Sequence, residues 1–251
     1  MSTFQHWGAG FGDRELVGVG IGPGDPGLIT LRAAEIIRQA ELVIAPAASR
    51  GDASLAAAII AAAGLKPRAL LELEFPMVRE EARLAQAWQE AALPILSAMD
   101  AGKTVAFITL GDLSLYSTWT YCKRAVLNAR PNTRIGSVAG VMAANAAAAA
   151  LGLSLAEKDE RMAIVPLPDP TDRLDALLGL IDRIVVYKIG SRLGELAAWA
   201  ESHKLEASVA CAVGQSGRER LGSLHALAAL GVEGYLSLAI IEAGSYMGAR
   251  A

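Results

Sequence analysis

From Leu16 to Thr30 the sequence reads Leu-Val-Gly-Val-Gly-Ile-Gly-Pro-Gly-Asp-Pro-Gly-Leu-Ile-Thr, and this stretch limits the fold more than any other. Leu16 to Ile21 is a short apolar run of the kind that makes a buried strand. The glycines that follow let backbone approach backbone or ligand closely and turn through positive φ. Pro23 and Pro26 stiffen the same loop and remove two N–H donors. Thr30 is placed to cap a helix from about Leu31 to Gln39. A second strand, Glu41 to Ala45, ends at Pro46. Strand, helix and strand in this order form a βαβ unit, which requires a parallel sheet.

The rest of the chain continues the alternation. Helices are expected over Ser54–Ala63, Arg79–Ala101, the stretch before Leu127, the alanine-rich run to Leu153, Arg173–Leu180, Leu193–Ser202 and Gly222–Leu230. Strands are expected over Leu70–Phe75, Thr104–Leu110, Arg134–Val138, Met162–Val165, Arg183–Tyr187, Ala207–Val213 and Tyr235–Glu242. The polar, proline-bearing segment Asn128–Thr133 reads as a connector. It divides an N-terminal α/β domain, 1–130, from a C-terminal α/β domain, 131–251, in which a mixed sheet is plausible.

Composition removes several classes of function. Lysine and arginine total 23 against 26 acidic residues, so there is no basic excess to neutralise a nucleic-acid backbone. Cys122 and Cys211 stand far apart, and His6, His203 and His225 show no ligand spacing, so no metal site is expected. The N-terminal residues lack the basic and apolar regions of a signal peptide. The run Ser137–Leu153 approaches membrane-spanning length but is mostly alanine, contains Asn145 and reads as a buried helix. A soluble, cytoplasmic protein is expected.

In open α/β sheets, ligands sit at the carboxyl ends of strands. Four loops hold that position: Gly20–Gly27, Gly111–Thr118, Ala139–Ala143 and Gly214–Gly217, with Lys188 as a fifth strand-end feature. The first loop invites a dinucleotide reading, but its glycine spacing is wrong. The second strand ends Ile44-Ala45-Pro46, with no acid for a ribose, and the prolines remove donors that a pyrophosphate would use. A P-loop lysine is absent. Singly, Asp112 can be a turn residue, Ser117 and Thr118 helix caps, and Lys188 a solvated strand end.

Together these motifs resemble a known family. Residues 17–30, Thr109-Leu110-Gly111-Asp112, and 140–153 are similar to the tetrapyrrole methylases, the S-adenosylmethionine-dependent enzymes of corrin and siroheme synthesis. The resemblance runs from about Leu16 to Glu242. Pro46–Ile59, Leu73–Met77, Ala106–Asp112 with Leu115-Tyr116-Ser117-Thr118, and Val185–Lys188 resemble the precorrin-2 C20-methyltransferase branch.

The resemblance implies two unlike α/β domains with the active site in a trough between them, usually in a homodimer. It implies S-adenosylmethionine as methyl donor, a tetrapyrrole substrate, no nucleic-acid or membrane partner, and methylation of precorrin-2 at C20 to give precorrin-3A. Carried over motif by motif, cofactor contacts fall on Pro23, Leu110, Gly111, Asp112, Leu115, Ser117, Thr118, Met142, Ala143, Lys188 and Ser216. Substrate contacts fall on Gly20, Gly22, Gly24, Asp25 and Tyr116, and Asp112 and Tyr116 are the catalytic candidates. Arg79, Lys123, Arg124, Arg192 and Arg218 are candidates to meet the substrate's carboxylates. The chain departs from the family pattern at Leu113, Ala139, Met142 and Gly214. Alternatives are a methylase acting on cobalt-factor II or at another ring carbon, and a non-catalytic tetrapyrrole-binding protein.

Overall fold

The computed structural model describes residues 12–47, 53–74, 81–232 and 236–244. They fall into two compact units that divide between Met142 and Ala143, unit 1 before and unit 2 after.

In unit 1, β1 (Leu16–Gly20), β2 (Leu42–Ala47), β3 (Leu70–Glu74), β4 (Val105–Thr109) and β5 (Ile135–Val138) form one sheet in the order β3-β2-β4-β1-β5. Every neighbouring pair is parallel. Alternate residues of a strand face opposite sides, and both sides are buried here. Val17, Val19, Ile21, Ala106 and Ile108 share one core with α1 (Leu31–Gln39) and α2 (Leu55–Ala62). Leu16, Val105 and Phe107 share the other with α3 (Glu81–Asp100) and α4 (Trp119–Ala129). A β-carbon on Gly18 would collide with the Trp119 ring, so that glycine admits the indole to the sheet. Thr30 and Ser54 cap α1 and α2 by accepting from Ala33 N–H and Ala57 N–H.

The end of β2 and the division between the units differ from the sequence reading. β2 runs through Pro46 to Ala47. Its partner β4 pairs only with Leu42–Ile44, so at Pro46 no bond to β4 needs the missing N–H. The division between units falls at Met142/Ala143 rather than at 130/131. The reason is β5, which pairs with β1 from Leu16↔Ile135 to Val19↔Val138 and so belongs to the first sheet. The expected strand end at Phe75 and helix start at Arg79 lie outside the described residues.

Unit 2 contains α5 (Ala143–Leu151), β6 (Met162–Pro166), β7 (Arg183–Tyr187), α6 (Leu193–Ser202), β8 (Glu206–Cys211), β9 (Arg220–Ser223), α7 (Leu224–Ala229) and β10 (Ser237–Glu242). The sheet order is β6-β7-β10-β8-β9. Only β6–β7 is parallel; the other pairs are antiparallel. Ile184, Val186, Val209, Ala239 and Ile241 meet α6 and α7 in one core, and α5 packs against β8 and β10. The helix expected over Arg173–Leu180 is a 3-10 helix over Thr171–Leu177. The one expected over Gly222–Leu230 is shorter, because Arg220–Ser223 pairs with β8 before Ser223 caps α7. The apolar run Ser137–Leu153 splits between the end of β5, a loop and the nine-residue α5. No helix among the described residues is long and apolar enough to cross a membrane.

Candidate functional site

Three loops leave the carboxyl ends of the adjacent strands β4, β1 and β5, and their backbones are tied together. Ile21 N–H donates to Thr109 O (3.0 Å), Gly22 N–H to Gly111 O (3.2 Å), and Gly111 N–H to Gly22 O (2.8 Å). Gly140 N–H donates to Asp112 Oδ2 (2.8 Å). Asp112 Oδ1 accepts from Ser114 N–H (2.8 Å) and Ser114 Oγ (2.5 Å). One carboxylate therefore holds its own loop closed and fastens the loop after β5 to it. Burial pushes the Asp112 carboxyl up, but the bonds from the Ser114 hydroxyl and the Ser114, Gly140 and Leu113 N–H groups outweigh it. Asp112 is left below the usual aspartate value.

The glycines here have two different uses. A β-carbon on Gly20 would stand 2.7 Å from Gly140 N and 2.8 Å from Gly111 O. One on Gly140 would stand 2.7 Å from Gly20 C. The room freed at these positions is filled by the protein's own backbone. Gly111 is the reverse. It has φ +65°, and the nearest atom to a β-carbon there is Val141 O at 4.0 Å. The bare backbone that a ligand can approach is thus at Gly111, on the loop that also carries half-buried Leu110 and Leu115.

The other expected residues of unit 1 have identifiable local roles. Asp25, expected against substrate, caps the 3-10 turn Pro26–Leu28 by accepting from Gly27 N–H (2.7 Å). Pro23 and Gly24 are buried. Ser117 is buried, donates to Thr109 Oγ1 (3.2 Å) and accepts from Trp119 N–H (3.1 Å). Thr118 makes no side-chain cap bond. Leu113, where the family pattern has proline, is 6% exposed and packs into the core with Phe107 and Trp119. Packing thus replaces ring rigidity and keeps an N–H that a proline would lack. Tyr116 is exposed with φ 50°, and burial of part of its ring raises its phenol.

In unit 2, β7 ends at Tyr187, and Lys188 follows with φ 55° and its side chain exposed. β8 ends at Cys211, and Ala212 follows with φ 47°. Left-handed backbone at a non-glycine residue costs roughly 1–2 kcal/mol and concentrates where function requires it. Tyr116, Lys188 and Ala212 each stand in a strand-end loop singled out from the sequence or beside one. In the 214–217 loop, Gly214 N–H donates to Glu219 Oε1 (2.7 Å), which supplies an acid near the position where the family pattern has one. Ser216 is exposed, and Gln215 is 7% exposed with its Oε1 unpartnered among the described residues. Arg192 is not available for a substrate carboxylate. It grips both oxygens of Glu195 (2.7 and 2.6 Å), Pro168 O (2.8 Å) and Thr171 Oγ1 (2.7 Å).

Residues 15–227 match the family model described as Tetrapyrrole (Corrin/Porphyrin) Methylases. The chain belongs to the tetrapyrrole methylases. Among curated relatives of this family, a probable cobalt-precorrin-2 C(20)-methyltransferase of Methanocaldococcus jannaschii is 34% identical, over 70% of this chain and 72% of the relative. The cobalt-precorrin-2 C(20)-methyltransferase of Salmonella typhimurium is 32% identical, over 73% and 76%. A precorrin-2 C(20)-methyltransferase of a Sinorhizobium species is 27% identical, over 80% and 84%. The fold matches a cobalt precorrin-4 methyltransferase crystal structure with a TM-score of 0.68 at 22% identity, covering 92% and 95% of the two chains. It also matches a Thermus thermophilus uroporphyrin-III C-methyltransferase complexed with S-adenosyl homocysteine, with a TM-score of 0.63 at 18% identity, covering 92% and 98%.

For this tetrapyrrole methylase the sequence reading named the stretches that hold Gly140, Tyr187 and Gln215 but singled out none of the three. Gly140 had a usable signal, since a glycine in the loop just past a strand, here two residues after β5, is a common site of close backbone approach. Tyr187 had a subtler one. No side chain from Ala139 to Met142 carries an oxygen to accept from the first turn of α5, so a side-chain cap has to come from elsewhere in the chain. It is the Tyr187 hydroxyl, which accepts from Ala144 N–H (2.9 Å).

Proposed function

We propose that the chain transfers the methyl group of S-adenosylmethionine to C20 of precorrin-2, giving precorrin-3A. The observation that carries C20 as the methylated carbon is identity to C(20)-methyltransferases, of 32–34% to two named for cobalt-precorrin-2 and 27% to one named for precorrin-2, across 70–80% of the chain. The junction of unit 1 fits such a donor. Its open backbone at Gly111 leaves room for the donor's sulfonium and its substituents, the half-buried Leu110, Leu115 and Met142 offer apolar contact to its adenosyl group, and its prolines and paired N–H groups do not suit a phosphate. When bound, S-adenosylmethionine supplies an electrophilic methyl and leaves as S-adenosylhomocysteine, and C20 gives up its proton as the new carbon–carbon bond forms.

The protein's share is to align the reactants and exclude water. Asp112 is a brace in this scheme. Its oxygens are already engaged by Ser114 and Gly140, and its lowered pKa makes it a poor proton acceptor. Tyr116, exposed and held in a left-handed turn, orients the macrocycle. The test is incubation with precorrin-2 and methyl-labelled donor, followed by locating the label. Label at C20 is expected, and label on any other carbon overturns the proposal. Two relatives carry cobalt-precorrin-2 names, so the cobalt-bearing substrate is the second reading. Turnover of that substrate alone would establish it.

A further inference from the structure

We infer that Tyr187 is a positioning residue for the methyl-donor site, acting through the first turn of α5. The inference rests on the reading that Met142 and Ala143 touch the donor. The first four N–H groups of a helix have no partner within it, and a serine, threonine, aspartate or asparagine at the cap normally takes the one at the second or third position. α5 begins at Ala143 with Met142 before it, and methionine has no oxygen to offer. The second position is Ala144, and its N–H donates to Tyr187 Oη at 2.9 Å. A residue at the end of β7, 43 positions along the chain, therefore does the work of the missing cap.

Tyr187 is well fixed for this role. Its carbonyl accepts from Leu167 N–H (2.7 Å), and it stands in register with Pro166 on one side and Leu238 on the other. The chain then turns through left-handed Lys188. The turn that Tyr187 secures starts at Met142/Ala143, where the two units divide. The rest of α5 is almost wholly alanine, with Ala144, Ala146, Ala147 and Ala148 buried. Its first turn has no long side chains with which to anchor itself.

The test uses the full chain, with Tyr187→Phe in the wild-type and Met142→Thr backgrounds. Threonine at 142 offers the helix a cap of its own. In the wild-type background, Tyr187→Phe speeds amide exchange at Ala144 about tenfold or more and raises KM for the donor about fivefold, with kcat at saturating donor within about twofold. In the Met142→Thr background, the same substitution moves both quantities by less than about twofold, because the hydroxyl it removes is no longer needed. Unchanged exchange at Ala144, an equal effect in both backgrounds, or a fall in kcat at constant KM would each overturn the inference. Failure of the wild-type chain to bind S-adenosylhomocysteine would instead overturn the donor-site reading, and the exchange measurement would still decide the cap.

Discussion

Gly140 and Gly111 show how one residue type serves two purposes within a single junction. Both lie where strand ends meet, but a β-carbon on Gly140 drives into the backbone of Gly20, and one on Gly111 enters open space. The obstacles around Gly140 are main-chain atoms that cannot rotate away. Gly140→Ala is therefore expected to destabilise the fold by about 2–3 kcal/mol, as overpacking does. Gly111→Ala meets only the left-handed φ of +65°, an expected cost of roughly 1 kcal/mol, but it fills the space assigned to the donor. Urea unfolding and S-adenosylhomocysteine titration separate the two effects. Gly111→Ala should lose affinity by at least about tenfold while keeping most of its stability. Unchanged affinity in Gly111→Ala would move the donor site elsewhere.

Among the elements, the legible ones are those whose apolar runs are unbroken. β1 and β4 are buried along their whole length, and their continuous hydrophobicity marks them as central parallel strands. β9 was not legible, because Arg-Leu-Gly-Ser has no strand signal of its own and takes its form from pairing with β8. The 3-10 helix at Thr171–Leu177 is likewise shaped from outside, by the clasp of Arg192, Glu195 and Thr171 that joins it to α6. The site divides in the same way. The glycine and Gly-Asp loops could be located from composition, but the bond from Gly140 to Asp112 depends on which strand ends the unit 1 sheet brings together, and the bond from Ala144 to Tyr187 on where unit 2 places α5 against the end of β7. The clasp carries its own prediction. Bonds from Arg192, and then from Thr171, lower the Glu195 carboxyl from its ordinary 4.5 to about 2. A carboxylate depressed in the folded state stabilises it above the unfolded value and loses that contribution as pH falls through the folded one. The stability advantage of the wild type over Glu195→Gln should thus be constant above about pH 4.5 and shrink toward about pH 2. A difference that does not vary with pH across that window would remove Glu195 from the clasp's energetics.

At the scale of the whole molecule, the two units are built on different principles. Unit 1 is an all-parallel sheet covered on both faces, and unit 2 is a mixed sheet with a single parallel pair. Each has its own core, so each can respond separately to what binds it. A ligand that binds only the folded state stabilises it by about 2.7 kcal/mol at a hundred times its dissociation constant. For a chain of this size each kcal/mol moves the unfolding midpoint by roughly 2–4 °C, so saturating S-adenosylhomocysteine should raise it by about 5–10 °C. Differential scanning calorimetry can follow whether the shift extends to the whole transition or only to a part of it. The proposed donor site includes the unit 1 junction, so the shift must involve the transition of unit 1, and at the same ligand concentration the tenfold weaker Gly111→Ala should lose about half of it or more. A midpoint that does not move at millimolar ligand would contradict the assignment of the Gly111 junction to the methyl donor, even though membership of the family would stand.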